Sequence, residues 1–297
     1  MRMEYFSPNG EGPILFGYDP PYGLVRFDGL GDTRANPVTS RGPSQRGSTL
    51  RDVEVTERVI SITVSVQAVD GRDITYWRLR SALDRALVIE PGSFGNPPAM
   101  GLLRFYKDGG EPPLELPCVP RNSPQYGTAG PYWVDADIEF VAPYPFPRET
   151  QDRVFNVAGS GGFEFPIEMT SVGFEMPSYN ITVPVQNTGD VRAPVLVRFY
   201  GDVTNPVLYN DTTGEHIDYI GQILASEYLE INTEYGNKYA EKVVIATGVR
   251  TNVMGNINWV VSKFWSLQRG TNNVRFAASV NAGGYGNVYW RQRYGGM

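Results

Sequence analysis

The clearest pattern in the chain is an alternation of apolar and polar residues that begins near Val59. The apolar set is Ile60, Ile62, Val64, Val66 and Ala68, and the polar set is Ser61, Thr63, Ser65 and Gln67. A period of two places the two sets on opposite faces of a strand, so this segment is predicted to be a strand with one buried face. Similar runs predict three more strands: Met100 to Lys107, Leu114 to Val119 and Tyr132 to Val141.

One segment has helical spacing instead, and a helix is predicted over about residues 73–90. Its apolar stripe consists of Tyr76, Leu79, Leu83, Ala86 and Leu87. Asp73 is a suitable N-cap, and Pro91-Gly92 ends the pattern. Arg80 and Asp84 are one turn apart and are expected to pair. A single helix among strands predicts an N-terminal β-barrel or β-sandwich with one packed helix.

Two stretches of the first half, residues 31–49 and 142–147, do not have the pattern of a strand or a helix. Residues 31–49 contain almost no apolar side chains, which predicts a long mobile loop, and a loop of this length is usually functional or ordered by a partner. Residues 142–147 read Ala-Pro-Tyr-Pro-Phe-Pro, a polyproline-like stop that predicts a domain boundary. We therefore expect one domain over residues 1–147 and a second over residues 148–297.

The second half contains short apolar runs separated by turn residues. They are Tyr179 to Val185, Ala193 to Phe199, Pro206 to Asn210, His216 to Ile220, Glu227 to Asn232, Lys242 to Ala246, and the C-terminal runs. At least seven short strands predict a jelly roll or a related β-sandwich. The runs from Val274 and from Val288 flank a glycine-rich loop, so the chain is predicted to end in a β-hairpin.

Composition favours the same mainly β class and argues against nucleic-acid-binding and membrane-inserted proteins. The 33 Gly, 23 Pro and 18 Tyr are typical of many turns and strands rather than of helices. A net charge of -6 without a Lys/Arg run argues against a protein that grips nucleic acid. No apolar stretch has the length of a signal peptide core or a membrane span, so we expect no membrane insertion and assembly in a cytoplasm.

The most suggestive candidate site is an acidic stripe on the strand Trp-Val-Asp-Ala-Asp-Ile-Glu-Phe. Asp135, Asp137 and Glu139 share one face of this strand. Carboxylates at this spacing occur in metal sites and in glycosidases, but they also occur wherever the outer face of a sheet is wet. The solvated face is the favoured interpretation, and a glycan hydrolase that uses these residues is a weaker one.

The other chemically reactive residues give little evidence of a catalytic or metal site. His216 is the only histidine and Cys118 the only cysteine. Any Ser-His-Asp or Cys-His arrangement would therefore have to use His216, and there is no second histidine for a typical zinc site. We expect a surface or cross-strand histidine and a buried thiol. Arg291 and Arg293 lie beside Trp290 and are candidates for cation–π contacts or for anchoring the terminus. No cofactor, metal or catalytic residue is predicted.

Two segments resemble a known family. FWSLQRGTNNVRF followed by VYWRQRYGGM is similar to the C-terminal signature of distal tail proteins of long-tailed bacteriophages, in which an L-x-x-G-x-N turn precedes two strands. The stretch from Gly189 to Ile217 resembles the same family's strand, Asn-Pro turn and short hairpin. The resemblance covers most of the C-terminal half and only faintly the N-terminal half.

This resemblance implies a structural virion protein without enzymatic activity. In the family, an N-terminal β domain with one helix forms a hexameric ring, and a C-terminal galectin-like or jelly-roll domain projects outward. The ring connects the tail tube protein to the tail-associated or baseplate hub protein at the tail tip, and DNA passes through without specific binding. The acidic stripe would then face the channel and repel phosphate. The alternative is a carbohydrate-binding module that contacts the host surface, because aromatic side chains stack on sugars.

Overall fold

A computed structural model describes residues 2–31, 33–89, 91–92, 98–107, 109–158, 182–281 and 284–296. The chain divides into two compact units. Unit 1 comprises Met1–Thr150 together with Tyr294–Met297, and unit 2 comprises Gln151–Arg293. The predicted division at residue 147 into two independent domains stays a prediction.

Unit 1 consists of strands and one helix. They are β1 (Arg2–Phe6), β2 (Ile14–Phe16), β3 (Tyr22–Asp28), β4 (Ala35–Ser40), β5 (Thr49–Val55), β6 (Arg58–Gln67), α1 (Asp73–Ala86), β7 (Gly101–Tyr106), β8 (Leu114–Pro120), β9 (Gln125–Gly130), β10 (Trp133–Ala142) and β11 (Arg148–Glu149). Nine strands form one antiparallel sheet with the order β2-β1-β7-β8-β10-β6-β3, to which β9 and β11 add. Among the described residues the path does not close into a barrel, since β2 and β3 share no ladder.

Strand β6 and the helix contribute to the core of unit 1 as the sequence predicts. All five apolar side chains of the alternating segment are buried, and Tyr76, Leu83 and Ala86 of α1 are buried with them. The helix ends at Ala86, earlier than predicted, and its N-cap is Arg72, which makes no capping bond with its side chain. Asp73 is therefore the first helical residue and not the cap.

The expected pairing of Arg80 with Asp84 is also wrong. The Arg80 guanidinium lies 3.9 Å from the centroid of the Tyr126 ring. The Tyr126 hydroxyl in turn donates to Asp84 Oδ1 at 2.7 Å. A tyrosine from β9 thus lies between the two charges, and this contact depends on tertiary packing that helical spacing does not reveal.

The prediction of a long mobile loop over residues 31–49 is another error, because this segment contains β4 and the turn of a β-ribbon completed by β5. β4 and β5 pair antiparallel from Ala35↔Val55 to Ser40↔Thr49, and the turn between them contains Gly47 at φ +84°. Nearly every residue of both strands is exposed. Strand pairing needs backbone hydrogen bonds rather than burial, so low apolar content did not exclude it.

Unit 2 is a β-sandwich. Its elements are β12 (Arg153–Ala158), β13 (Thr182–Asn187), β14 (Ala193–Tyr200), β15 (Val203–Thr204), β16 (Val207–Asn210), β17 (Glu215–Asp218), β18 (Gln222–Ile223), β19 (Glu227–Asn232), β20 (Tyr239–Val244), β21 (Arg250–Asn252), a 3₁₀ turn (Met254–Asn256), β22 (Ser266–Leu267), β23 (Gly270–Ala277), β24 (Val280–Asn281) and β25 (Tyr285–Trp290). The larger sheet has the order β12-β25-β14-β19-β20-β21, with β22 added to β14, and the smaller has the order β13-β23-β16-β17. Phe199 and Phe276 stack between the two sheets, with ring centroids 5.5 Å apart. The prediction of a mainly β chain with a C-terminal sandwich is confirmed.

The predicted C-terminal hairpin is wrong. β23 pairs with β13 and β16 in the smaller sheet, whereas β25 pairs with β12 and β14 in the larger one. Both strands have an apolar face, and these faces enclose the core from opposite sides. Two residues of the predicted loop, 282 and 283, lie outside the described residues, as do residues 179–181 of the first predicted run.

Candidate functional site

The acidic stripe has the geometry that the alternation predicts. Its three members, Asp135, Asp137 and Glu139, lie on β10 opposite the buried Val134, Ala136, Ile138 and Phe140. β10 pairs with β6 over its whole length, so the polar residues of β6 flank the stripe. The Thr63 hydroxyl donates to Asp137 Oδ1 at 2.6 Å, and Arg121 Nη1 lies 3.5 Å from Glu139 Oε2.

The stripe extends onto a third strand, which sequence reasoning missed. β3 pairs with the other side of β6, with Asp28 opposite Ser61 and Arg26 opposite Thr63. These residues and two members of the stripe, Asp137 and Glu139, line an open depression of about 400 Å³. No local signal could have placed Asp28 near Glu139, because the sequence of one strand does not indicate which strands lie next to it in the sheet.

The depression is polar and partly charge-compensated, and its chemistry is that of a wet sheet face. Its described lining contains carboxylates, one arginine and hydroxyls but no histidine or cysteine. Among the described residues, no three His, Cys, Asp or Glu side chains converge to hold a metal ion. Whether the stripe lines a channel stays a prediction.

Neither His216 nor Cys118 lines the depression beside the acidic stripe. The His216 ring lies across from Tyr209 on the neighbouring strand, with centroids 5.1 Å apart. Cys118 is fully buried, and burial raises the pKa of its thiol, so it has little thiolate character. Both positions match the unreactive roles expected for them.

The terminal arginines form ion pairs inside unit 2. Arg293 is almost fully buried and pairs with Glu234. Arg291 Nε lies 2.5 Å from Asp152 Oδ1, at the start of β12. These contacts anchor the C-terminal segment to its own unit.

The larger sheet has a charged cluster on its outer face that sequence reasoning missed. Glu230 is almost fully buried and accepts hydrogen bonds from Arg198 at 2.6 Å, from Arg250 at 2.8 Å and from Tyr239 at 2.8 Å. Burial alone would raise the pKa of Glu230, but the hydrogen bonds from these three partners hold it below its usual range. Burial and the neighbouring Glu230 carboxylate raise the pKa of Tyr239 to about 12.

Three tyrosines form a ladder beside this cluster. The ring of Tyr200 lies 5.2 Å from that of Tyr228 and 5.1 Å from that of Tyr285, which belong to the strands on either side of it. Sugars stack on free ring faces, but both faces of Tyr200 are covered by its neighbours. This ladder gives the carbohydrate hypothesis no specific support, and that hypothesis stays a prediction.

The class of protein follows from the fold and a family match together. Residues 188–294 match the family model described as siphovirus-type tail component, C-terminal domain. The matched segment spans most of the sandwich of unit 2. The resemblance to distal tail proteins is thereby confirmed.

Solved structures extend the likeness in fold to nearly the whole chain. The Dit protein of phage SPP1, described as a paradigm of the hub adsorption apparatus in phages that infect Gram-positive bacteria, has a TM-score of 0.63 and 11% identity. The match covers 92% of this chain and 93% of that one. A chain of the phage P2 baseplate in its activated, Ca-containing conformation has a TM-score of 0.54 and 9% identity, over 100% of both chains.

No curated protein is similar in sequence to this chain. Of the helices that the structure describes, none has the length and apolar character needed to cross a membrane.

Proposed function

We infer that the protein is a structural hub of a siphophage tail tip or baseplate, in which copies of unit 1 form a ring of about six subunits around the DNA exit channel. Unit 2 is then the outer domain. The ring joins the tail tube to a baseplate hub protein in the virion, and the protein has no catalytic role. The family match of residues 188–294 and the fold shared with the SPP1 Dit protein support this assignment.

The observation that carries the ring assignment is the β4–β5 ribbon. On one face Val55 lies opposite Ala35 and Val53 opposite Pro37, whereas on the other face Asp52 lies opposite Val38. The valines at 53 and 55 are 48% and 46% exposed.

A two-stranded ribbon with an uncovered apolar face is marginally stable in water. A neighbouring copy in the ring would cover this face.

Light scattering across a concentration series tests the ring directly. We expect an assembly of about six copies, or a double ring of about twelve, for the wild-type protein. Val53→Glu places a charge on the apolar face and is expected to shift the mass toward the monomer. Val38→Glu, on the opposite face of the same ribbon, is the matched control and should leave the mass unchanged. A strictly monomeric wild-type protein, or equal effects of both variants, would contradict the ring assignment.

The channel role of the acidic stripe is a separate part of the proposal. An acidic lining repels phosphate and lets DNA pass without sticking. Electron cryo-microscopy of the assembled ring is the direct test, with Asp135, Asp137 and Glu139 expected on the inner wall. Finding them on the outer rim would contradict this role but would leave the hub assignment intact.

A further inference from the structure

Among the described residues, the two main sheets of unit 2 have four edge strands, and three of these strands are protected against pairing. β13 carries Pro184, which has no N–H to offer. β17 is covered by backbone bonds from Lys263 N to His216 O at 2.8 Å and from Asn258 N to Asp218 O at 2.9 Å. β21 has only three residues. Short length, proline and covering segments are the usual ways in which proteins block sheet edges.

The fourth edge, β12, has none of these protections. It has six residues and no proline, and among the described residues it pairs with β25 alone. Val154 on its outer face is 56% exposed. The ion pair between Arg291 and Asp152 fixes the start of the strand to the end of β25. Within the part of the chain that the structure describes, this edge is therefore long, open and held in place.

A groove of about 450 Å³ runs beside this edge, between the two sheets. Its apolar wall consists of Phe155, Val185 and Trp290, and the rings of Phe155 and Trp290 meet edge to face at 5.7 Å. Arg153 and Gln186 lie at its rim. A groove of this size accommodates one or two apolar side chains.

Trp290 supplies an independent sign of a ligand. Its side chain is 8% exposed, and its indole Nε1 is buried with no hydrogen-bond partner among the described residues. Buried donors are nearly always paired, so an orphan that lines a groove calls for an explanation. An acceptor brought by a bound chain would satisfy it.

We propose that β12 and the adjoining groove bind an extended polypeptide segment of a partner protein. The segment adds a strand to the open edge of β12 through main-chain hydrogen bonds and inserts an apolar side chain against Phe155. A carbonyl or side-chain oxygen of the segment accepts from Trp290 Nε1. The site is independent of ring formation by unit 1.

Selection of peptides on the full-length protein tests the proposal. A yeast-displayed library of random linear 12-residue peptides is the probe, and enriched sequences are remade as synthetic peptides for fluorescence anisotropy. We expect saturable binding and slower amide exchange in Arg153–Ala158 on binding, with no change in β21. Failure to enrich any saturable binder overturns the proposal. So does slow exchange of every β12 amide in the free protein, because the edge would then already be covered.

Three variants locate the site. Trp290→Phe removes the indole donor and keeps an aromatic ring, and it is expected to weaken binding about tenfold. Val154→Lys places a charge on the open edge at an exposed position and is expected to weaken binding to a similar extent. Thr182→Lys, on the protected edge β13, is the control and should bind as the wild type does. Equal affinity of all four proteins would overturn the proposal, and light scattering on the same samples reports ring assembly separately.

Discussion

The two units bury their charged side chains in different ways. In unit 1, Arg58 is 1% exposed and donates to the Thr33 hydroxyl at 2.8 Å and to the Gly295 carbonyl at 2.7 Å, so it joins segments far apart in the chain. In unit 2, the partners of Glu230 come from β14 and from β20 and β21, which lie on either side of its own strand. The hydrogen bonds of Arg58 make unit 1 depend on the C-terminal tail, whereas the Glu230 cluster depends only on the strand pairing within its own sheet.

The largest expected difference concerns two glycines with similar backbone conformations. Gly29 in unit 1 has φ +87°, and a Cβ there would lie 2.1 Å from the Val59 carbonyl oxygen. Gly270 in unit 2 has φ +92° and open space around it. Gly29→Ala is expected to cost more than about 3 kcal/mol, because clash adds to backbone strain, and Gly270→Ala about 1 kcal/mol. Urea unfolding measures both, and equal losses would mean that the backbone at Gly29 relaxes.

Removing the hydrogen bonds of Arg58 is expected to cause the next largest loss of stability. Arg58→Met leaves the carbonyls of Leu30 and Gly295 without their cationic donor and is expected to cost about 3 kcal/mol. Arg46→Met, at an exposed position in the ribbon turn, should change stability by less than about 0.5 kcal/mol. Hydrogen exchange should show that amides in β1 and β6 lose protection, whereas amides in β14 do not. An equal loss of protection in both units would contradict the claim that the Arg58 hydrogen bonds stabilise unit 1 alone.

Acid should act on unit 2 through Glu230. Because its folded-state pKa lies below the unfolded value, the carboxylate stabilises the fold at neutral pH, and this contribution is lost as pH falls through the folded-state pKa. Glu230→Gln is expected to cost about 2 kcal/mol at pH 7. The variant should also show a weaker fall in stability under acid than the wild type. Parallel pH profiles for the two proteins would show that the cluster contributes nothing to acid sensitivity.

The smallest effect is expected at the acidic stripe. The combined variant Asp135→Asn, Asp137→Asn, Glu139→Gln replaces side chains on the outer face of β10, so stability should change by less than about 0.5 kcal/mol for each substitution. Urea unfolding and light scattering of the same sample check fold and assembly together. A large loss of stability would mean that the stripe is structural rather than a solvated face.

Much of the fold could be predicted because burial leaves a periodic trace in a single segment. The strand β6, the apolar stripe of α1 and the exact span of β19 are read correctly from alternation or helical spacing. The opposite faces of Asp135 and Val134 follow from the same rule. Geometry within one element is local, so neighbouring residues are sufficient to predict it.

The errors share a different cause. Pairing of β23 and β25 with partners in separate sheets, the ribbon formed by β4 and β5, and the joining of Asp28 to the acidic stripe all depend on which strands meet. Strand pairing is decided by the packing of the whole unit, because any exposed edge can accept several partners of similar local stability. The buried Arg58 and Glu230 could not be found for the same reason, since their partners come from other strands or from the chain end.

The sequence by itself determined the mainly β class, the single helix and the faces of individual strands, because hydrophobic periodicity is a property of consecutive residues. Only the tertiary structure decided the order of strands, the uncovered face of the ribbon and the edge at β12 that the described residues leave open, because these depend on how strands from distant parts of the chain pair. Both proposed interfaces rest on such unpaired surfaces.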